Sequence, residues 1–273
     1  MKLPIALREK VTSEFPNSTI FLSGCSADGC RRDFCEYNIF AYPAKGKTRA
    51  IDYNKQLYHI QPASDLKRII ALPYKIISDS EWNMAKVLGS RVEEKAELAK
   101  KEHVKEVEII ATSCIMKSFS LLEKGKLKAS SLYFVSSLPL ISELMLLKKG
   151  IVPHPSHIAS QLRDIASLSF FSEASDFDLC SSTNAERRMH KLSTSFGYAE
   201  AAAIKRKMKG LIDNGNIFDS LYYSYWCISN LLLKKGEGAD AIAGGMDIIA
   251  EEAHLKRYLP ELADRLKQLV RQT

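Results

Sequence analysis

The stretch 21–42, Phe-Leu-Ser-Gly-Cys-Ser-Ala-Asp-Gly-Cys-Arg-Arg-Asp-Phe-Cys-Glu-Tyr-Asn-Ile-Phe-Ala-Tyr, constrains this chain more than any other. A short apolar run, Ile20 to Leu22, stops at Gly24. Gly24 and Gly29 bracket a turn that contains only small residues at Cys25, Ser26 and Ala27. Glycine at both ends permits a tight turn whose backbone N–H groups face outward, an arrangement suited to phosphate oxygens. A short helical or irregular link follows, and then a second strand places Glu36 and Asn38 two residues apart. Side chains at i and i+2 of a strand share a face. The stretch therefore predicts strand, turn, link and strand, with two oxygen-bearing side chains beside a phosphate cradle. That is the geometry of a Mg²⁺-assisted phosphoryl-transfer site.

Gly24-Cys25-Ser26-Ala27-Asp28-Gly29, five further residues, and Cys35-Glu36-Tyr37-Asn38 resemble the signature of the DNA polymerase β-like nucleotidyltransferases. In that family the pattern is Gly-Ser-x-Ala-x-Gly, about five residues, then Ser-Asp-x-Asp. The glycines, the alanine and the spacing agree. Cys25 stands at the family's serine, Glu36 at its first metal-binding aspartate and Asn38 at its second. The resemblance implies phosphate binding by Gly24, Cys25, Ser26 and Gly29, and a Mg²⁺ site at Glu36 and Asn38. It also implies a third carboxylate on a later strand, acting as general base toward the attacking hydroxyl. The matching position is His59, between Tyr58 and Ile60. An imidazole titrates near neutrality and accepts protons, and a hairpin histidine without chemistry is the alternative. Asp52, on the neighbouring strand, is a lesser candidate.

The substitutions bear on activity. Glu36 keeps a carboxylate but moves it one methylene outward, and Mg²⁺ demands near-ideal octahedral geometry at about 2.0–2.1 Å. Asn38 offers a carbonyl oxygen without charge. A negative charge removed from about 4 Å of a cation forfeits on the order of 4 kcal/mol per unit charge at an effective dielectric near 20. The motif is thus a degenerate one. It implies a nucleotidyltransferase-fold protein, catalytically weakened or inactive, that binds a nucleotide or a partner. The alternative is an active Mg²⁺-dependent enzyme moving a nucleoside monophosphate from an NTP to a hydroxyl acceptor. An unrelated chain with a coincidental glycine turn is the third reading.

With 273 residues the chain is long enough for a substantial core and two domains. Its net charge of +7 suits an anionic partner, whether nucleotide or nucleic acid, without specifying one. No window carries about 18 uninterrupted apolar residues, so no membrane partner is expected. The first ten residues become charged too early for a signal peptide. The six cysteines form no Cys-x-x-Cys pair, which argues against structural zinc and for thiols in a reducing cytoplasm. Cys25, Cys30 and Cys35 are evenly spaced and invite a metal reading, with coincidence the simpler account.

Elsewhere, residues 4–14 read as a helix with Leu7, Val11 and Phe15 on its apolar side. Residues 48–53 and 56–61 read as a hairpin around Asn54-Lys55, expected to pair in one sheet with 19–24 and 36–42. Residues 74–77 read as a last strand. Ser78 or Asp79 is expected to cap a helix that has Glu81 and Trp82 in its first turn. From residue 81 onward the pattern is helical: 91–123, ending at Gly125; 130–149, apolar all round and kinked at Pro139; then 158–171, 185–209, 218–235 and 239–271, the last broken at Pro260. The apolar helices 130–149 and 218–233 would serve a homodimer interface as readily as an internal core.

His154-Pro155-Ser156-His157 reads as a helix start rather than a metal site. Ser175-Asp176-Phe177-Asp178 reads as an acidic cap of the next segment. The cationic run Lys205-Arg206-Lys207-Met208-Lys209 would receive a triphosphate or RNA backbone if it faced a cleft. The expected architecture is an α+β domain with a small mixed sheet over residues 1–90 and an all-α bundle over 91–273. That layout is similar to kanamycin-nucleotidyltransferase-like proteins.

Overall fold

The structure, a computed structural model, describes residues 3–33, 35–71, 73–79, 92–165, 167–176, 181–235 and 248–271. The chain divides into two compact units, residues 1–103 with 196–206, and residues 104–195 with 207–273. The first carries a small mixed sheet and the second is helical, so the predicted fold class is what the chain adopts.

In the first unit α1 (Ile5–Glu14) leads into β1 (Thr19–Ser23) and the single helical turn α2 (Cys25–Asp28). There follow β2 (Tyr37–Tyr42), β3 (Arg49–Tyr53), β4 (Gln56–Pro62), α3 (Lys67–Ile70) and β5 (Tyr74–Ser78). The five strands lie in the order β3-β4-β2-β1-β5. β1 pairs antiparallel with β2 and β5, β3 pairs antiparallel with β4, and β2 runs parallel to β4. The predicted hairpin and the two flanking strands do share one sheet. Asn54 and Lys55 both have positive φ, 50° and 61°, as the two central residues of a type I′ turn require.

Alternation assigns the two faces. Ile20, Leu22, Ile39, Ala41, Tyr58 and Ile60 pack with Leu7 and Val11 of α1. Phe21 points the other way and packs with Leu66, Ile69, Ile70 and Ala99. All five residues of β1 are buried, which a strand near the middle of a sheet covered on both faces must be. Asn38, His59 and Gln61 belong by period two to the face of Phe21.

In the second unit α4 (Val92–Glu123, which begins in the first) and α5 (Leu127–Lys148) form a helical hairpin. α4 ends in a Schellman closure: Gly125 has φ 67°, and Lys126 N–H donates to the Leu121 carbonyl at 2.9 Å. Ser118 and Ser130, both fully buried, each donate to the other's backbone carbonyl, at 2.9 and 2.8 Å. Side chains this small let two helix backbones approach closely.

α5 is buried on most sides and runs unbroken through Pro139. By length and mean hydropathy it is apolar enough to cross a membrane, but 83% of its most apolar window is buried inside the protein. It packs against α10 (Ile217–Lys235) and α11 (Glu252–Arg271). The apolar faces of α5 and α10 thus form an internal core.

The remaining helices are α6 (Ile158–Asp164), α7 (Leu168–Ala174), α8 (Ser182–Ser195) and α9 (Tyr198–Asp213). Two predicted helices are therefore split in two, 158–171 between Asp164 and Leu168 and 185–209 at Phe196-Gly197. Pro260 does not break α11. Proline removes one backbone donor, and burial of Tyr258, Leu259, Leu262 and Leu266 holds the helix across the gap. The expected helix start at Glu81 and Trp82, and residues 239–247, lie outside the described residues.

Candidate functional site

The site is assembled where β1 ends and β2 begins. Gly24 has φ 72° and ψ −151°, a conformation that L side chains rarely adopt. A Cβ there would stand 3.7 Å from Asn38 Nδ2, an ordinary contact. Backbone conformation therefore demands the glycine, and that same contact places the turn beside the polar strand edge. Gly29, at φ 87° and ψ 0°, closes the turn in the left-handed region. A Cβ on Gly29 would meet nothing within 4 Å, so this glycine redirects the chain without lining the polar edge.

The bracketed residues form a helical turn rather than an open nest. Ala27 and Asp28 N–H groups both donate to the Gly24 carbonyl, at 2.9 and 3.1 Å. Of the residues expected to bind phosphate, Gly24 donates its own N–H to the Pro73 carbonyl at 3.2 Å. Cys25, Ser26 and Ala27 are buried, and Ser26 Oγ donates to the Glu36 carbonyl at 3.4 Å. This contact ties the turn to the start of β2.

Three predicted site residues come together on the sheet. Asn38 is the register partner of Ser23 on β1 and of His59 on β4. Asn38 Nδ2 donates to Glu36 Oε1 at 3.3 Å. Asn38 Oδ1 accepts from Gln61 Nε2 at 3.3 Å, and the same nitrogen lies 3.2 Å from His59 Nδ1. Glu36 and His59 are both buried, Asn38 and Gln61 half-buried. A carboxylate only accepts, so Glu36 sets the orientation of the Asn38 amide, which in turn sets that of Gln61. Gln61 joins the group although it lies outside the glycine motif and its spacing. Its signal was there, two residues beyond His59 on the same strand face.

The opposite side of β2 is aromatic. Tyr37 and Tyr58 stack at 4.8 Å with 10° between their rings. The Arg31 guanidinium lies 4.2 Å over Tyr37 and hydrogen-bonds to Gln56. The link after Gly29 is thereby pinned to the far face, leaving Glu36 on the side of Asn38.

Other candidates do not join this group. The Asp52 side chain is largely exposed and pairs with Arg206 Nη1 at 3.7 Å. The run 205–209 presents no single basic face. Arg206 bonds the Lys55 carbonyl, Lys207 is buried with its ammonium 4.9 Å over the Tyr223 ring, and Lys209 pairs with Asp213 at 3.1 Å. Pro155–His157 is a short 3-10 turn leading into α6, as a helix start should be. The cap of α6 is nevertheless supplied from elsewhere, by Asp219 Oδ1, which accepts from Ala159 N–H at 2.8 Å. Asp176 lies 3.5 Å from His254 Nδ1, while Ser181 Oγ accepts from Asn184 N–H at the start of α8. The cap expected from the acidic stretch is thus a serine; Phe177, Asp178 and Leu179 lie outside the described residues. Asp79 accepts from the Thr19 hydroxyl, and the helix it was expected to cap lies outside them as well.

No family model and no curated protein matches this chain. Among solved structures it is similar to a nucleotidyltransferase-like protein from Exiguobacterium sibiricum 255-15. That likeness covers 97% of this chain and 90% of the other, at 12% identity and a TM-score of 0.38. A likeness of that size carries no argument about fold or activity.

Proposed function

We propose that this chain is a nucleotidyltransferase-fold protein whose site has lost metal-dependent transfer and binds a nucleotide or a partner through the polar edge at Glu36, Asn38 and His59. One observation supports this reading above the others. Both oxygens that would hold a cation, Glu36 Oε1 and Asn38 Oδ1, accept from side-chain amide nitrogens. The position where a second carboxylate would face the ion holds an amide that directs its nitrogen at Glu36. With one carboxylate and an inward amide donor, the set does not fit Mg²⁺, which binds through carboxylate oxygens and water in strict octahedral geometry.

A transfer assay tests this. NTP turnover by the wild-type chain, followed as pyrophosphate release with Mg²⁺ present, is expected at background. Asn38→Asp restores the second carboxylate, and is expected to create Mg²⁺-dependent nucleotide binding. Turnover by the wild type that Glu36→Ala abolishes would instead establish the active enzyme, with Glu36 as its remaining metal carboxylate.

A further inference from the structure

Two buried thiols flank this site. Cys25 opens the glycine-bracketed turn and Cys35 immediately precedes Glu36. Their Sγ atoms lie within 4.8 Å of each other. Both are buried, Cys35 completely, and neither is in a disulfide. The Ser26-to-Glu36 hydrogen bond joins the residues next to them, so the two backbone segments are already held side by side. A disulfide needs Cβ atoms about 3.5–4.5 Å apart and an S–S bond of about 2.05 Å, so the two sulfurs would close the gap by rotation about their Cα–Cβ bonds.

We propose that Cys25 and Cys35 are a reversible redox pair, oxidised by a hydroperoxide to a disulfide that fastens the glycine turn to the start of β2. One thiolate attacks a peroxide oxygen and is oxidised to a sulfenic acid as the O–O bond breaks and water or an alcohol leaves. The second thiolate attacks that sulfur, the S–S bond forms and the sulfenic oxygen departs as water. Two thiols lose two electrons and two protons, and the peroxide gains both. The pairing rests on proximity, since the Sγ atoms of Cys25 and Cys35 already lie side by side. The pair would act whether or not the site binds a nucleotide.

Mass spectrometry tests this on the full reduced chain after treatment with hydrogen peroxide and alkylation of the remaining thiols. Trypsin cuts after Arg31 and Arg32, leaving Cys25 and Cys30 on one peptide and Cys35 on another. The expected product is these two peptides joined, lighter than their sum by two hydrogens, and separated by dithiothreitol. Cys30→Ser keeps the link and Cys35→Ser abolishes it. The proposal is overturned if Cys30→Ser loses the link, if the bridge lies within the first peptide, or if all the thiols remain alkylatable.

Discussion

Glu36 sets the polarity of the hydrogen bonds around it. Because it only accepts, the Asn38 amide turns its nitrogen toward it, Gln61 turns its own nitrogen toward Asn38, and His59 Nδ1 is left as an acceptor. Neutral His59 is therefore expected to carry its proton on Nε2, which ¹⁵N chemical shifts report directly. The Nδ1–H tautomer would contradict this orientation. Gln61→Leu removes the donor shared by Asn38 and His59 and is expected to cost about 1–3 kcal/mol of unfolding free energy in denaturant titrations.

Cys114 offers a separate check through pH. Burial raises its thiol from 9.0 to about 11, so the folded chain keeps a proton that the unfolded chain releases. The resulting stability is complete below pH 9 and is lost as pH climbs toward 11. A shift of about two units corresponds to about 3 kcal/mol. The destabilisation caused by Cys114→Ala at pH 7 should accordingly shrink by up to that amount above pH 9.

Among the elements, α6 depends on a remote carboxylate. Asp219 is buried on α10 and accepts the Ala159 N–H, an orphan donor of the first helical turn. Asp219→Ala is expected to cost about 1–3 kcal/mol, and Asp219→Asn, which keeps an acceptor, less. Equal losses in thermal denaturation would mean that charge rather than capping carries the effect.

This contact shows why some elements were legible and others were not. Strands β1 to β5, the Asn54-Lys55 turn and the stop at Gly125 follow from local alternation and local glycines. The split of 158–171 does not: Ile158, Leu162 and Phe170 keep an apolar rhythm across it, and the capping oxygen is 60 residues away in sequence. Pro260 misled for the opposite reason. Its local signal was strong, and burial of its neighbours outweighed it.

For the molecule as a whole, strands followed by helices were readable from the change of hydrophobic period near residue 80, while a mixed sheet was what the resemblance implied. The site was readable only as a set of positions. Spacing identified Glu36 and Asn38, and the resemblance pointed to His59, but their connection through Gln61 depends on the parallel register of β2 and β4, which local sequence does not encode. The helical turn at Cys25–Asp28 likewise changed what the glycine motif offers. Its ends are glycines as expected, yet the Ala27 and Asp28 amides close on Gly24.

The central claim is that this polar edge receives its ligand without a metal ion. Calorimetric titration of the wild-type chain with an NTP, once with Mg²⁺ and once with EDTA, tests it most directly. Binding of the same affinity in both is expected. Binding that requires Mg²⁺ and disappears with EDTA would contradict it.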